Sequence, residues 1–276
     1  MNRLQICLRR VGNLLVGLCP NSTFESWLMK RRVIREQGTV DGVITNGKHR
    51  IVECTLADGG RIAFREGATD ALILYELLWR EQYRRMADVV NLLDISVDSI
   101  LDGGANIGAF TLFAKRLYPA AKIVCVEPDP DNHSVLEHNL KLNGIDDCVV
   151  LDGAVWSECG PLFLGGGCRH ERERELSFFV QAEAAADAQK CTPGYSVQSL
   201  AEKYCAGRFN VVKLDVEGAE AQILRDEDSI NALLSICDLL VLEIHDDVFD
   251  RLQFSLAIKS LGCTSMSDGE LTYVWK

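Results

Sequence analysis

Residues 101–111 read Leu-Asp-Gly-Gly-Ala-Asn-Ile-Gly-Ala-Phe-Thr. An acid followed by small residues, Asp102-x-Gly104-x-Asn106-x-Gly108, stands between an apolar run and a helical pattern. At the carboxyl end of a strand, such a turn offers bare backbone to a ligand, and larger side chains would block the approach. Glu127 closes the next apolar run, 19 residues after Gly108. A carboxylate there can accept from both hydroxyls of a ribose. The two features point to an adenosine-containing cofactor.

Outward from this turn, strand and helix patterns alternate. Apolar runs fall at 99–102, 122–127, 148–152, 210–215 and 238–244, with helical patterns at 107–117, 130–142, 197–205 and 219–234. A last helix is expected over 246–261, then strands near 263–267 and 271–275 joined by Ser267-Asp268-Gly269-Glu270 as a hairpin. This alternation predicts an α/β fold, a mostly parallel sheet with helices on both faces and one antiparallel closing strand. Residues 156–196 break the pattern. Gly165-Gly166-Gly167 opens a polar stretch from Arg169 to Glu175, and an alanine-rich segment runs on to Pro193-Gly194. A substrate lid and a solvated loop are both open readings.

Residues 1–95 read as an N-terminal extension to a domain of residues 96–276. Leu4, Leu8, Val11, Leu15 and Leu18 form one helical face, closed by Pro20. That face suits packing on the same chain or on a second copy in a homodimer. Peripheral membrane contact through residues 1–19 is the other reading. Short strands are expected at 39–45, 51–56 and 61–64, and a helix over 71–93.

The 276 residues carry a net charge of −11, which argues against nucleic acid as a partner. Residues 1–50 hold nine Lys/Arg against three Asp/Glu, so the charge is polarised along the chain. Eleven cysteines without a Cys-x-x-Cys pair read as thiols in a reducing compartment. No run approaches the ~20 apolar residues of a membrane span. Cytoplasmic localisation is the expectation.

The glycines help to choose the cofactor. Gly103-x-Ala105-x-x-Gly108 lacks the middle glycine that lets a pyrophosphate reach the helix start. Asp102 would repel that pyrophosphate and suits a cationic ligand, an ammonium or a sulfonium. S-adenosylmethionine is therefore favoured over a nicotinamide cofactor. Asp152, before Gly153-Ala154, is either an acceptor for an adenine amino group or a turn acid. The cofactor-binding set is Asp102, Gly104, Ala105, Asn106, Gly108, Glu127, Asp152 and Ala154.

On the reaction side, Lys213 in an apolar run needs an acid partner. Asp215 and Glu217 end the same strand, while Glu243 and His245 end the next. Methyl transfer to oxygen needs an in-line acceptor and somewhere for its proton to go. His245 suits that base by intrinsic pKa, Asp215 is the alternative, and a structural histidine is the plain reading of His245. Asp215, Glu243 and His245 also suit a divalent ion, although no metal site is assigned. The reaction set is Lys213, Asp215, Glu217 and His245.

The segments Asp102-Gly-Gly-Ala-Asn-Ile-Gly-Ala-Phe-Thr111, Val126-Glu-Pro-Asp129, Lys213-Leu-Asp-Val-Glu-Gly-Ala-Glu220 and Leu242-Glu-Ile-His245 resemble the FkbM-type S-adenosylmethionine-dependent methyltransferases. Glu76 to Tyr83 looks like that family's helix before the domain. The resemblance implies a class I, Rossmann-like sheet of seven strands, the last antiparallel. It implies methylation of a hydroxyl on a small-molecule acceptor, a sugar or secondary metabolite, with S-adenosylhomocysteine as product. It places Asp102, Gly104, Asn106, Gly108 and Glu127 at the cofactor, and Asp215, Glu217 and His245 at the reaction cleft. A nicotinamide-dependent oxidoreductase and a non-catalytic scaffold of the same fold are the alternatives.

Overall fold

A computed structural model describes residues 38–276, except 47–48, 57, 67, 69, 71–72, 75–82, 166–178, 182–187 and 245–248. In chain order, three strands come first: β1 (Gly38–Asn46), β2 (His49–Leu56) and β3 (Arg61–Arg65), an antiparallel meander. Helix α1 (Arg84–Leu92) leads into β4 (Ser99–Gly103), α2 (Ala109–Leu117), β5 (Lys122–Glu127), α3 (Pro130–Leu142) and β6 (Val149–Asp152). Then come β7 (Ala154–Val155), β8 (Gly160–Gly165), β9 (Phe179–Gln181) and β10 (Ala188–Tyr195). The chain closes with α4 (Val197–Tyr204), β11 (Phe209–Leu214), α5 (Glu220–Ile223), α6 (Glu227–Ser235), β12 (Cys237–Glu243), α7 (Arg251–Ser260), β13 (Thr264–Asp268) and β14 (Leu271–Trp275).

The main sheet has the order β13-β14-β12-β11-β4-β5-β6, with β14 antiparallel to both neighbours and the remaining pairs parallel. This is the class I methyltransferase sheet. Its central strands are apolar on both faces, and their alternation divides the core in two. Ile100, Ile123, Val211 and Leu239 pack with α1, α2 and α3, whereas Leu101, Val124, Val212 and Leu240 pack with α4, α6 and α7. Strand order reverses between β4 and β11, so their carboxyl ends open the crevice where ligands bind in such sheets.

Side chains attach the N-terminal meander to this domain. Asn139 on α3 is fully buried and accepts from the Ala63 N–H at 2.6 Å while donating to the Ala63 carbonyl at 3.0 Å and the Ile107 carbonyl at 2.8 Å. One turn later, the Asn143 amide makes the same pair of hydrogen bonds with the Arg61 backbone. These amides mimic a neighbouring strand along the free edge of β3, whose polar groups would otherwise be orphaned on burial. Asn139→Ala is therefore expected to lose about 2–4 kcal/mol, from three buried groups left unpaired, measured by urea denaturation.

Three expectations need correction. The helix over 219–234 is two helices, because Asp226 turns extended and accepts from the Ser229 N–H at 2.8 Å, capping α6. Of the helix expected over 246–261, the described residues are helical from Arg251 to Ser260, with Asp250 accepting from the Leu252 and Gln253 N–H groups. The segment 156–196 is not simply a loop: β7, β10, β8 and β9 form a second sheet. Pro161 and Pro193 sit opposite each other in it, and prolines, lacking an N–H, hide a strand from sequence patterning. Within the described residues, the expected helix over 71–93 is regular from Arg84 to Leu92, and residues 1–37, with the amphipathic face, lie outside them.

The eight described cysteines form no disulfide; Cys54, Cys125, Cys237 and Cys263 are buried, and Cys159 and Cys191 are exposed. Among the described residues, no helix is long and apolar enough to cross a membrane.

Candidate functional site

The crevice is walled by four turns. Gly104 and Asn106 follow β4, Glu127 ends β5 with Pro128 and Asn132 after it, Ala154 and Val155 form β7 after β6, and Asp215, Val216, Glu217 and Ala219 follow β11. A wider groove between the β2–β3 turn and α2 lies apart from these groups, and its cations are paired: Lys115 with Asp147 at 2.6 Å, Arg116 with Asp58.

The first turn is held from below. The Gly104 and Ala105 N–H groups both donate to the Val126 carbonyl, at 3.0 and 3.1 Å. Gly104 has φ +72°, and a Cβ there would lie 1.8 Å from the Asp215 carbonyl oxygen. Glycine is thus required by the crossing of two backbones as much as by any ligand. Asn106, at φ +49°, donates its backbone N–H to Glu127 Oε2 at 2.7 Å. Its buried Oδ1 has no hydrogen-bond partner among the described residues.

Glu127 is 5% exposed. Its Oε1 accepts from the Asp129 N–H at 2.9 Å and from Asn132 Nδ2 at 3.3 Å. Burial pushes its carboxyl up to about 7, against the lowering pull of these donors. The raised value means that the folded protein binds this proton more tightly than the unfolded chain. The resulting stability is full below about 4.5 and lost as the pH rises through about 7. Denaturation at pH 5 and pH 8 should show about 3 kcal/mol of this loss, and Glu127→Gln should remove it.

Beneath the turn lies a buried charge cluster. Asp102 and Lys213 are register partners on β4 and β11, 0% and 2% exposed. Lys213 Nζ stands 3.2 Å from Asp102 Oδ1 and 3.5 Å from Asp215 Oδ2, and donates to the Gly104 carbonyl at 2.7 Å. Thr111 Oγ1 donates to Asp102 Oδ2 at 2.6 Å. Burial would lower the Lys213 ammonium, but Asp102 and Asp215 outweigh it and hold the charge. Burial lifts the Asp102 carboxyl above its usual range, opposed by Lys213 and Thr111.

The predicted residues therefore divide. Gly104, Asn106, Glu127, Ala154, Asp215 and Glu217 meet at the crevice. Asp102 and Lys213 stand behind it and answer each other's charge, which corrects the expectation that Asp102 faces a cationic ligand. Ala105 is buried, and Gly108, whose Cβ would lie 2.5 Å from Leu136 Cδ1, serves the packing of α2 on α3. Asp152 is exposed at the end of β6, off the crevice wall. Glu243 ends β12, while His245 lies outside the described residues, so the Asp215–Glu243–His245 set is described only in part. Among the described residues, no three His, Cys, Asp or Glu side chains group to hold a metal.

Sequence reasoning missed Asn132, Pro128, Val216 and Ala219. Asn132 falls inside the helical pattern at 130–142 with nothing to single it out, and Asp129 accepts from its N–H at 2.8 Å as the cap of that helix. It also missed Tyr83, a buried residue at the start of α1 whose ring meets Phe110 edge-on at 4.8 Å. Burial pushes the Tyr83 hydroxyl well above the usual phenol range, while the Lys213 charge pulls it down.

Residues 102–262 match the family model described as "Methyltransferase FkbM domain". "Methyltransferase sdnD" of Sordaria araneosa is 33% identical over 167 residues, covering 51% of this chain and 64% of that protein. "Methyltransferase 1" of Beauveria bassiana (strain ARSEF 2860) is 29% identical over 160 residues, covering 50% and 64%. The chain thus spans less than two thirds of the length of these relatives. Among solved structures, magnesium protoporphyrin IX methyltransferase from Synechocystis PCC 6803 with bound SAM aligns at 10% identity and a TM-score of 0.40, covering 71% of this chain and 79% of that one.

Proposed function

The chain belongs to the FkbM methyltransferase family, and on that premise we propose that it methylates a hydroxyl oxygen of a small neutral acceptor, with S-adenosylmethionine as donor. The observation that carries this reading is the pairing of two unfilled acceptors on one crevice wall. Glu127 has lone pairs left after its backbone bonds, and the Asn106 Oδ1 has no partner among the described residues. A ribose diol and an ammonium are donors of the kind such acceptors take. The cofactor, when bound, supplies an electrophilic methyl group on a sulfonium.

The chain's own groups do the rest. Glu127 accepts from the ribose hydroxyls. Lys213 fixes the Gly104 carbonyl and draws on Asp215, so the cofactor turn and the reaction turn share one anchor. Asp215, a little over a quarter exposed, orients the acceptor hydroxyl and takes its proton as the new bond forms. Apolar Val155 and Val216 flank the crevice and limit water. Asp215 and Glu217 line the mouth, and Glu243 ends the neighbouring strand. Such a ring of acids disfavours an anionic acceptor and suits a neutral polyol, a sugar or a hydroxylated secondary metabolite. Homodimer or membrane contact through residues 1–19 and a cytoplasmic location belong to the same proposal.

The test is incubation with methyl-labelled S-adenosylmethionine and panels of neutral hydroxylated compounds, amines and carboxylic acids. Label on a neutral hydroxyl supports the proposal. Label confined to nitrogen or to carboxylates overturns the oxygen assignment. S-adenosylhomocysteine binding without any turnover favours the scaffold alternative.

A further inference from the structure

We propose that Arg65, in the N-terminal meander and outside the family match, is a positioning residue that sets the cofactor-binding carboxylate of Glu127 through Asn132; this rests on the S-adenosylmethionine reading above. Arg65 ends β3 and is 7% exposed. Asp70, 0% exposed, receives its Nε at 3.0 Å, its Nη2 at 2.6 Å and its backbone N–H at 2.8 Å. The guanidinium is thereby locked, and Nη2 has one hydrogen left. That hydrogen goes to Asn132 Oδ1 at 2.6 Å.

An arginine only donates, so the Asn132 atom facing it must be the oxygen. The amide nitrogen is then forced toward Glu127, where it donates to Oε1 at 3.3 Å. With the amide flipped, an oxygen would face the Glu127 carboxylate and repel it. Arg65 thus acts at a distance: it makes Asn132 a donor, and Asn132 supports the charged form of Glu127. The Asn132 backbone is fixed separately by Asp129, so the side chain is the adjustable part.

Asp129 opposes that charge, and the surround is acidic, with His49 held on Asp131 at 3.2 Å. Asp129 caps α3 beside it, Asp131 follows on the same helix, Asp152 is its register partner on β6, and Asp215 and Glu217 line the facing wall. Arg65 is the cation that the relay brings to this acidic surround. A segment outside the matched domain therefore tunes how well that domain holds its cofactor.

The test uses the full chain and the charge-balanced variant Arg65→Met/Asp70→Asn, which leaves no buried carboxylate unpaired. Carbon-13 titration of the Glu127 carboxyl in ligand-free protein, assigned with Glu127→Gln, gives the direct readout. The midpoint should rise by roughly one pH unit in this variant and in Asn132→Leu. In the Asn132→Leu background, adding Arg65→Met/Asp70→Asn should move it no further. S-adenosylhomocysteine affinity at pH 7 should fall about tenfold in each variant. An unmoved midpoint, or an Arg65 effect that persists in Asn132→Leu, overturns the relay. Absence of S-adenosylhomocysteine binding by the wild type would overturn the cofactor reading, while the titration still decides the role of Arg65.

Discussion

Lys213→Met is expected to destabilise the protein by about 4 kcal/mol and to loosen cofactor binding with it. The variant leaves the fully buried Asp102 with the Thr111 hydroxyl but no cation beside it, and breaking a buried ion pair by removing one partner typically costs roughly 3–5 kcal/mol. The Gly104 carbonyl loses its 2.7 Å donor at the same time, which frees the turn that carries Asn106. The sign of the pH dependence follows from the buried carboxyl. Without Lys213 the folded-state pKa of Asp102 rises further, so the variant recovers stability as the pH falls and Asp102 takes a proton. Urea denaturation between pH 5 and pH 8 should show the gap to wild type closing at low pH. The double variant Lys213→Met/Asp102→Asn should regain more than half of the loss. A pH-independent gap would mean that Lys213 contributes by packing alone.

Asp215→Asn is expected to lower kcat by about 10²–10⁴-fold, the usual contribution of a positioned acid or base, while S-adenosylhomocysteine affinity changes by less than about threefold. The reason is position. Asp215 reaches the crevice from the β11 end, whereas Glu127, the acid proposed for the ribose, stands across it on the β5 end. The amide keeps the volume and loses the proton acceptor. Turnover and binding measured on the same preparation separate the two effects. Unchanged turnover would move the base to another group at the β12 end, where Glu243 and His245 stand in the sequence.

The strands of the main sheet were legible because a core buried on both faces demands long apolar runs, and the turns between them are marked by glycine, aspartate and proline. Residues 122–127 and 130–142 were read to the residue for this reason. The second sheet was hidden because its pairing is non-local: β10 lies between β7 and β8, and its register is carried by Pro193 and Gly194, residues that argue locally against a strand. The single helix read over 219–234 failed because a side-chain cap at Asp226 competes with apolar periodicity, and periodicity says nothing of caps within a run. In the crevice, the sequence identified Glu127 and Asp215 by their places at strand ends. It could not show that Asp102 turns inward to Lys213, since a charge in an apolar strand announces only that it needs a partner. Arg65 and Asn132 were illegible for the same physical reason: 67 positions apart in sequence, they are joined by one hydrogen bond.

The proposed function requires that the crevice between the β4, β5 and β11 turns hold an adenosine cofactor on Glu127. Calorimetric titration of the wild type and Glu127→Gln with S-adenosylhomocysteine, with NADH as the control ligand, tests it most directly. One micromolar site is expected for S-adenosylhomocysteine, weakened roughly a hundredfold by the substitution through lost charge-assisted hydrogen bonds, and none for NADH. Equal affinity in the two proteins, or binding of NADH alone, would contradict it.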